Sequence, residues 1–157
     1  MSFNITPSEY LAMLNAAHAE FLHDKLSIRK IIVCCVLANH LPDFLVAEYA
    51  RTDPAKLNHK TTLAQYRDFI ASSCPQTAIV RDLCDYGKHG PILNRKSATV
   101  ANTKAKRRFR PPILPWDSFR LTTHVVVSMQ DGSTHRVDKL LSDVVDFWNA
   151  KFRTDAL

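Results

Sequence analysis

The spacing of apolar positions divides the chain into a helical first half, a stretch without period, and a C-terminal part that changes from strand spacing to helix spacing. Leu11, Leu14, His18, Phe21 and Leu22 recur at steps of three and four and predict a helical stripe to about Lys25. Its start carries every expected signal: Thr6 as N-cap, Pro7 at the first helical position, Glu9 to close a capping box, and Ile5 and Tyr10 for a hydrophobic staple. A second helix begins near Ser27 with Ile28, Ile31, Ile32, Cys35, Val36 and Asn39. It is apolar on nearly all sides from Ile31 to Ala38, as a central helix would be. Pro42 ends or kinks it, and Phe44, Leu45, Val46 and Tyr49 carry a helical pattern on to about Ala50, before a turn at Thr52-Asp53-Pro54. Asn39 and His40 are placed to satisfy backbone groups freed by the proline. Thr62 with Gln65 opens a third helix through Tyr66, Phe69 and Ile70 to about Ser72. Ser73 with Gln76, or Pro75 at the first helical position, starts a fourth, with Ile79, Val80, Leu83 and Cys84 as its stripe and Gly90-Pro91 as its stop.

From Pro91 to about Phe119 the period disappears, and Pro111 to Trp116 reads as an extended strap whose Ile113, Leu114 and Trp116 pack on the helices. Leu121 to Met129 and Ser133 to Val137 then flank Asp131-Gly132, the signal for a two-residue type I′ hairpin. That turn pairs Met129 with Thr134 and Ser128 with His135, and puts Val125, Val127 and Met129 on the core face. Asp138 caps a last helix carrying Leu141, Val144, Val145, Trp148 and Phe152. The fold class expected is mainly α in one domain: an antiparallel four-helix bundle (6–90), a basic, proline-containing crossover loop (91–119), and a C-terminal β-hairpin with a final helix (120–157).

Charge changes this picture more than composition does. Lys88, Arg95, Lys96, Lys104, Lys106, Arg107, Arg108 and Arg110 fall in one segment without a single Asp or Glu, leaving 13 of the 21 basic residues against 15 acidic ones elsewhere. A field concentrated in this way favours RNA or another polyanion as partner. At 157 residues the chain needs no staple, and its four cysteines show no CxxC spacing, so buried thiols in a reduced, cytoplasmic protein are expected. The longest apolar run, Ile31 to Ala38, is far below the roughly 20 residues of a bilayer span, so no membrane partner is expected.

Candidate chemistry is sparse. No HExxH, paired CxxC or His pair at i, i+4 occurs, and three glycines form neither a P-loop nor a dinucleotide fingerprint, so no metal or cofactor is expected. His18 on the apolar stripe reads as a satisfied boundary histidine. Cys84 and His89 diverge by about 140° on a helix, which separates a nucleophile from its base. There remain Arg81, Asp85, Lys88 and His89. Arg81 and Asp85 at i, i+4 with Lys88 form a surface ion-pair row in the plainest reading. In the sharper one a phosphodiester meets a fixed guanidinium and an imidazole held at a helix C-terminus.

Four amphipathic helices, with Arg81-Asp82 followed by Lys88-His89 at a helix end, resemble the HEPN superfamily of small all-α proteins, many of them metal-independent ribonucleases of toxin and antiphage systems. Arg81 and His89 are separated by seven residues, one more than the family motif spans. The resemblance implies a homodimer that sets two helix ends face to face, with Arg81 and His89 as catalytic residues: His89 moves a proton of the RNA and Arg81 holds the phosphate. A different class of function is a non-catalytic module in which Lys104 to Arg110 grips phosphates and Phe109 or Trp116 stacks on a base. With about four phosphates of a single strand engaged, log K then falls against log salt with a slope of about −3. A protein-interaction subunit with a merely solvated basic loop predicts no polyanion binding.

Overall fold

A computed structural model describes residues 5–89, 100–109, 121–129 and 131–157, with side chains over 5–85, 124–129 and 131–157. Among these, five helices and three strands follow in order: α1 (Pro7–His23), α2 (Ile28–Tyr49), α3 (Leu63–Ser73), α4 (Gln76–His89), β1 (Val100–Phe109), β2 (Leu121–Met129), β3 (Thr134–Arg136) and α5 (Val137–Thr154), with a 3₁₀ turn at Pro54–Leu57. The protein is mainly helical, with a hairpin near its C-terminal end leading into a final helix, as the pattern predicts.

The local signals act as physics requires. The Thr6 hydroxyl accepts from the Glu9 backbone and the Glu9 carboxylate from the Thr6 backbone, completing the capping box before Pro7. Ser27 caps α2 and Thr62 caps α3, while the Gln65 side chain accepts from Thr61 rather than from the cap itself. Pro42 sits buried inside an α2 that continues to Tyr49, so the proline interrupts a hydrogen bond without ending the helix. Helix α2 has the length and apolar character of a membrane span. Here it is the central helix, touching α1, α3, α4 and α5 and contributing Cys34, Cys35, Ala38, Leu41 and Leu45 to one continuous core with Leu14, Phe21, Tyr66 and Trp148. All four cysteines are free and buried, and burial raises the thiol pKa of Cys34 to about 11.

The structure corrects three expectations. The segment Val100–Phe109, expected inside a loop over 91–119, is a strand: it pairs antiparallel with β2 from Val100↔Met129 to Phe109↔Leu121, giving a sheet of order β1-β2-β3. No apolar alternation announces it, since Val100, Ala101, Ala105 and Phe109 are its only apolar residues; it pairs with the edge of β2 opposite β3. The β2–β3 register is Ser128↔Thr134 and Val127↔His135, one residue from that of a two-residue turn. Gly132 is left-handed at φ +84°, and the register is that of the three-residue loop rather than of type I′. The Asp131 carboxylate accepts from the Ser133 backbone and holds that loop. Val125 and Val127 nonetheless reach the core, and Met129 packs against it. Finally, Asp138 does not cap α5; Arg136 occupies that place without a side-chain cap. The Asp138 carboxylate is instead taken by Arg136 (2.6 Å) and Lys25 (3.3 Å). The calls on the Gly90-Pro91 stop and on the strap residues Ile113, Leu114 and Trp116 lie outside the described residues.

His18 is the boundary histidine expected: its Nε2 lies 3.1 Å from Ser142 Oγ, tying α1 to α5. Burial lowers its pKa, with Lys25 adding to the effect and Asp146 opposing it. Burial works against ionisation of Asp138, yet the hydrogen bonds and charges of Arg136 and Lys25 prevail and hold the carboxyl at about 2. Both shifts therefore stabilise the fold at neutral pH. The His18 contribution is complete above its unfolded pKa of about 6.5 and falls as pH drops below it. That of Asp138, on the order of 1 kcal/mol once the exposure of Arg136 and Lys25 is allowed for, is complete above about 4 and vanishes towards 2. Urea midpoints measured against pH should decline in these two stages, and His18→Gln should abolish the upper one only. A flat profile from pH 7 to 5 in the wild type contradicts it.

Candidate nucleic-acid interface

Pairing with β2 imposes a pleat on the basic segment. Successive residues of a strand fall on opposite faces, so alternate residues share a face at a spacing of about 6.8 Å. The register sets Lys104 opposite Val126, Lys106 opposite His124 and Arg108 opposite Thr122, while Ala105 pairs with Val125 and Arg107 with Thr123. Since Val125 and Val127 belong to the core face, Lys104, Lys106 and Arg108 occupy the opposite set and Arg107 the core-side set. Val126 also pairs with Arg136, so the row Lys104–Val126–Arg136 crosses all three strands on the face opposite Val125 and Val127, with Val126 itself buried. Arg136 is half exposed despite its bond to Asp138. Beside it a groove of about 390 Å³ runs between β3, the first two turns of α5 and the start of α4, lined by His135, Arg136, Lys139 and Gln76 and also by the carboxylate of Asp143. His135 is exposed, as expected.

The helical candidates separate. Arg81, Lys88 and His89 all lie on α4, which is unbroken from Gln76 to His89. Eight residues on one helix set Arg81 and His89 about 12 Å apart along the axis and about 80° apart around it. The side chains of Lys88 and His89 are outside the described residues, as are Arg95, Lys96 and Arg110 altogether. Asp82 is buried, and the expected Arg81–Asp85 ion pair is not formed among the described residues. Arg81 instead lines a cavity of about 30 Å³ between α2, α3, α4 and α5.

That cavity adjoins the Pro42 irregularity. The Asn39 amide does not serve the freed backbone as expected but donates to Cys84 Sγ at 3.7 Å, and His40 Nδ1 lies 2.7 Å from Asp43 Oδ2. Arg67 of α3 reaches over instead, donating to Asp43 Oδ1 at 2.8 Å and to the Asn39 carbonyl at 3.4 Å. Sequence reasoning passed over Arg67, Arg136 and Lys139, since each reads as an ordinary exposed charge; only the capacity of Arg136 to share a cross-strand row with the basic segment was recoverable, given the right register.

Among the described residues no cluster of His, Cys, Asp and Glu could hold a metal ion. Comparison with family models, curated proteins and solved structures finds no match for this chain.

Proposed function

We propose that this protein is nucleic-acid-directed and binds a single strand along the outer row of its sheet. The observation that carries the reading is the register that collects Lys104, Lys106 and Arg108 in one alternate set of β1, continued across the sheet by Arg136. Cations repeating every second residue can follow the phosphates of an extended strand, and exchange of condensed counterions supplies the affinity without any need for sequence readout. Fluorescence anisotropy with a labelled single-stranded RNA should show binding that weakens steeply with salt. No binding at low salt overturns the proposal.

A second reading, ribonuclease activity of HEPN type through Arg81 and His89, is favoured by one feature: Arg81 has no carboxylate partner among the described residues. Their separation along α4 means that a single phosphate would be held by Arg81 of one copy and His89 of another, in a homodimer. RNA incubated in EDTA with wild type and with His89→Ala tests it: cleavage lost only in the variant is the expected result, and equal cleavage, or none from either, removes this reading.

A further inference from the structure

The groove beside Arg136 gathers polar side chains that the fold leaves uncommitted. At about 390 Å³ it is large enough for a small ligand, and every residue lining it is polar except Leu140. Arg136 is already held by the Asp138 carboxylate at 2.6 Å. Gln76 accepts from the Cys74 thiol at 3.4 Å through Oε1, while its amide nitrogen donates to nothing among the described residues. Lys139, exposed, and Asp143, half-buried, take no hydrogen bond or ion pair among the described residues, although they stand four residues apart on α5. Lysine on the N-terminal side of the acid is the weaker order for such a pair, so both charges stay open to a ligand. The groove thus offers a cation and a carboxylate together. A bare phosphate would meet the Asp143 charge and a bare cation would meet Lys139, so neither simple ion suits it.

We infer that the groove takes one guanine nucleotide of the bound strand, its phosphate on Lys139 and its base edge on Asp143. The inference rests on the nucleic-acid reading above and adds a base preference to it. The row Lys104–Val126–Arg136 ends at the wall of the groove, and two interstrand spacings, about 10 Å, carry a strand from Lys104 to Arg136. A carboxylate only accepts hydrogen bonds. Guanine presents two adjacent N–H donors to it, from N1 and the 2-amino group. Adenine and cytosine present one amino group beside an acceptor nitrogen, and uracil presents one N–H between two carbonyls that repel the carboxylate. Single-stranded bases are read along these edges and stack on aromatic rings, which the exposed His135 imidazole supplies in the same groove.

Two measurements on the full chain test it. Anisotropy titrations compare labelled oligouridine with the same strand carrying guanine at its centre, which should bind about tenfold tighter, as a bidentate base contact allows. Asp143→Asn should bring that ratio to within about twofold and leave the salt slope nearly as it was. Asp146→Asn makes the same charge change at an exposed position of α5 outside the groove and should keep the full preference. In the second measurement, guanosine monophosphate and uridine monophosphate are titrated into nitrogen-15-labelled protein, and the Gln76 side-chain amide is followed, assigned by its loss in Gln76→Ala. A saturable shift with the guanine nucleotide alone is expected. Equal binding of the two strands, or an unchanged preference in a folded Asp143→Asn, overturns the inference and leaves strand binding along β1 standing. If neither strand binds at low salt, the nucleic-acid reading falls, and the mononucleotide decides for the groove: a saturable shift keeps it as a guanine nucleotide site, and none removes it.

Discussion

Replacing Lys104, Lys106 and Arg108 together by glutamine should flatten the salt dependence of single-strand binding by about 2 in the slope of log K against log salt, since each phosphate contact on a single strand contributes about 0.7. The wild type's advantage over the triple variant should therefore shrink by roughly 20-fold between about 50 and 200 mM salt. Arg107→Gln is the informative control. If the basic segment were a solvated loop, all its cations would be equivalent and Arg107 would count like the rest. The pairing of Arg107 with Thr123 places it in the core-side set, so its replacement should leave the slope unchanged within error. Anisotropy titrations at several salt concentrations decide the matter, with melting curves to show that the sheet is intact. A change per residue as large for Arg107 as for Lys104 would mean that the charge, and not the pleat, does the binding.

That contrast marks where the chain is legible from its residues. Helices announce themselves locally: Thr6, Ser27 and Thr62 cap the helices they precede, and the all-round apolar run from Ile31 to Ala38 becomes the central helix. Such signals lie within four residues of what they control. Strand β1 carries none of them, because its order comes from the backbone edge of β2, a chain segment more than ten residues away. The hairpin register failed for a subtler reason. Asp131-Gly132 fits both a two-residue and a three-residue loop, and only the pairing of Ser128 with Thr134 distinguishes them. The cavity that Arg81 lines was illegible for the same reason as β1: Arg67, Arg81 and Trp148 sit on three different helices and meet only through tertiary packing. Arg81 was legible as a candidate, but its direction was not.

Tyr66 offers the largest expected effect on stability, and it separates two contributions within one side chain. The ring is fully buried in the core and stacks near Phe69, at 6.3 Å between centroids, while its hydroxyl is buried without a hydrogen-bond partner. Burial, with Asp155 adding to it, raises the phenol pKa, so the group stays neutral throughout the accessible pH range. Tyr66→Ala removes the ring and leaves a cavity, at a cost of about 3–5 kcal/mol. That is a large part of the roughly 5–15 kcal/mol available to a domain, and the urea midpoint should collapse accordingly. Tyr66→Phe keeps the ring and removes only the unpartnered oxygen. It should be neutral or stabilise by about 1 kcal/mol, because an unsatisfied buried hydroxyl carries a desolvation penalty that phenylalanine does not. Should Tyr66→Phe instead destabilise by more than about 1 kcal/mol, the hydroxyl has a partner in solution, which a buried water between α3 and the Asp155 carboxylate would supply.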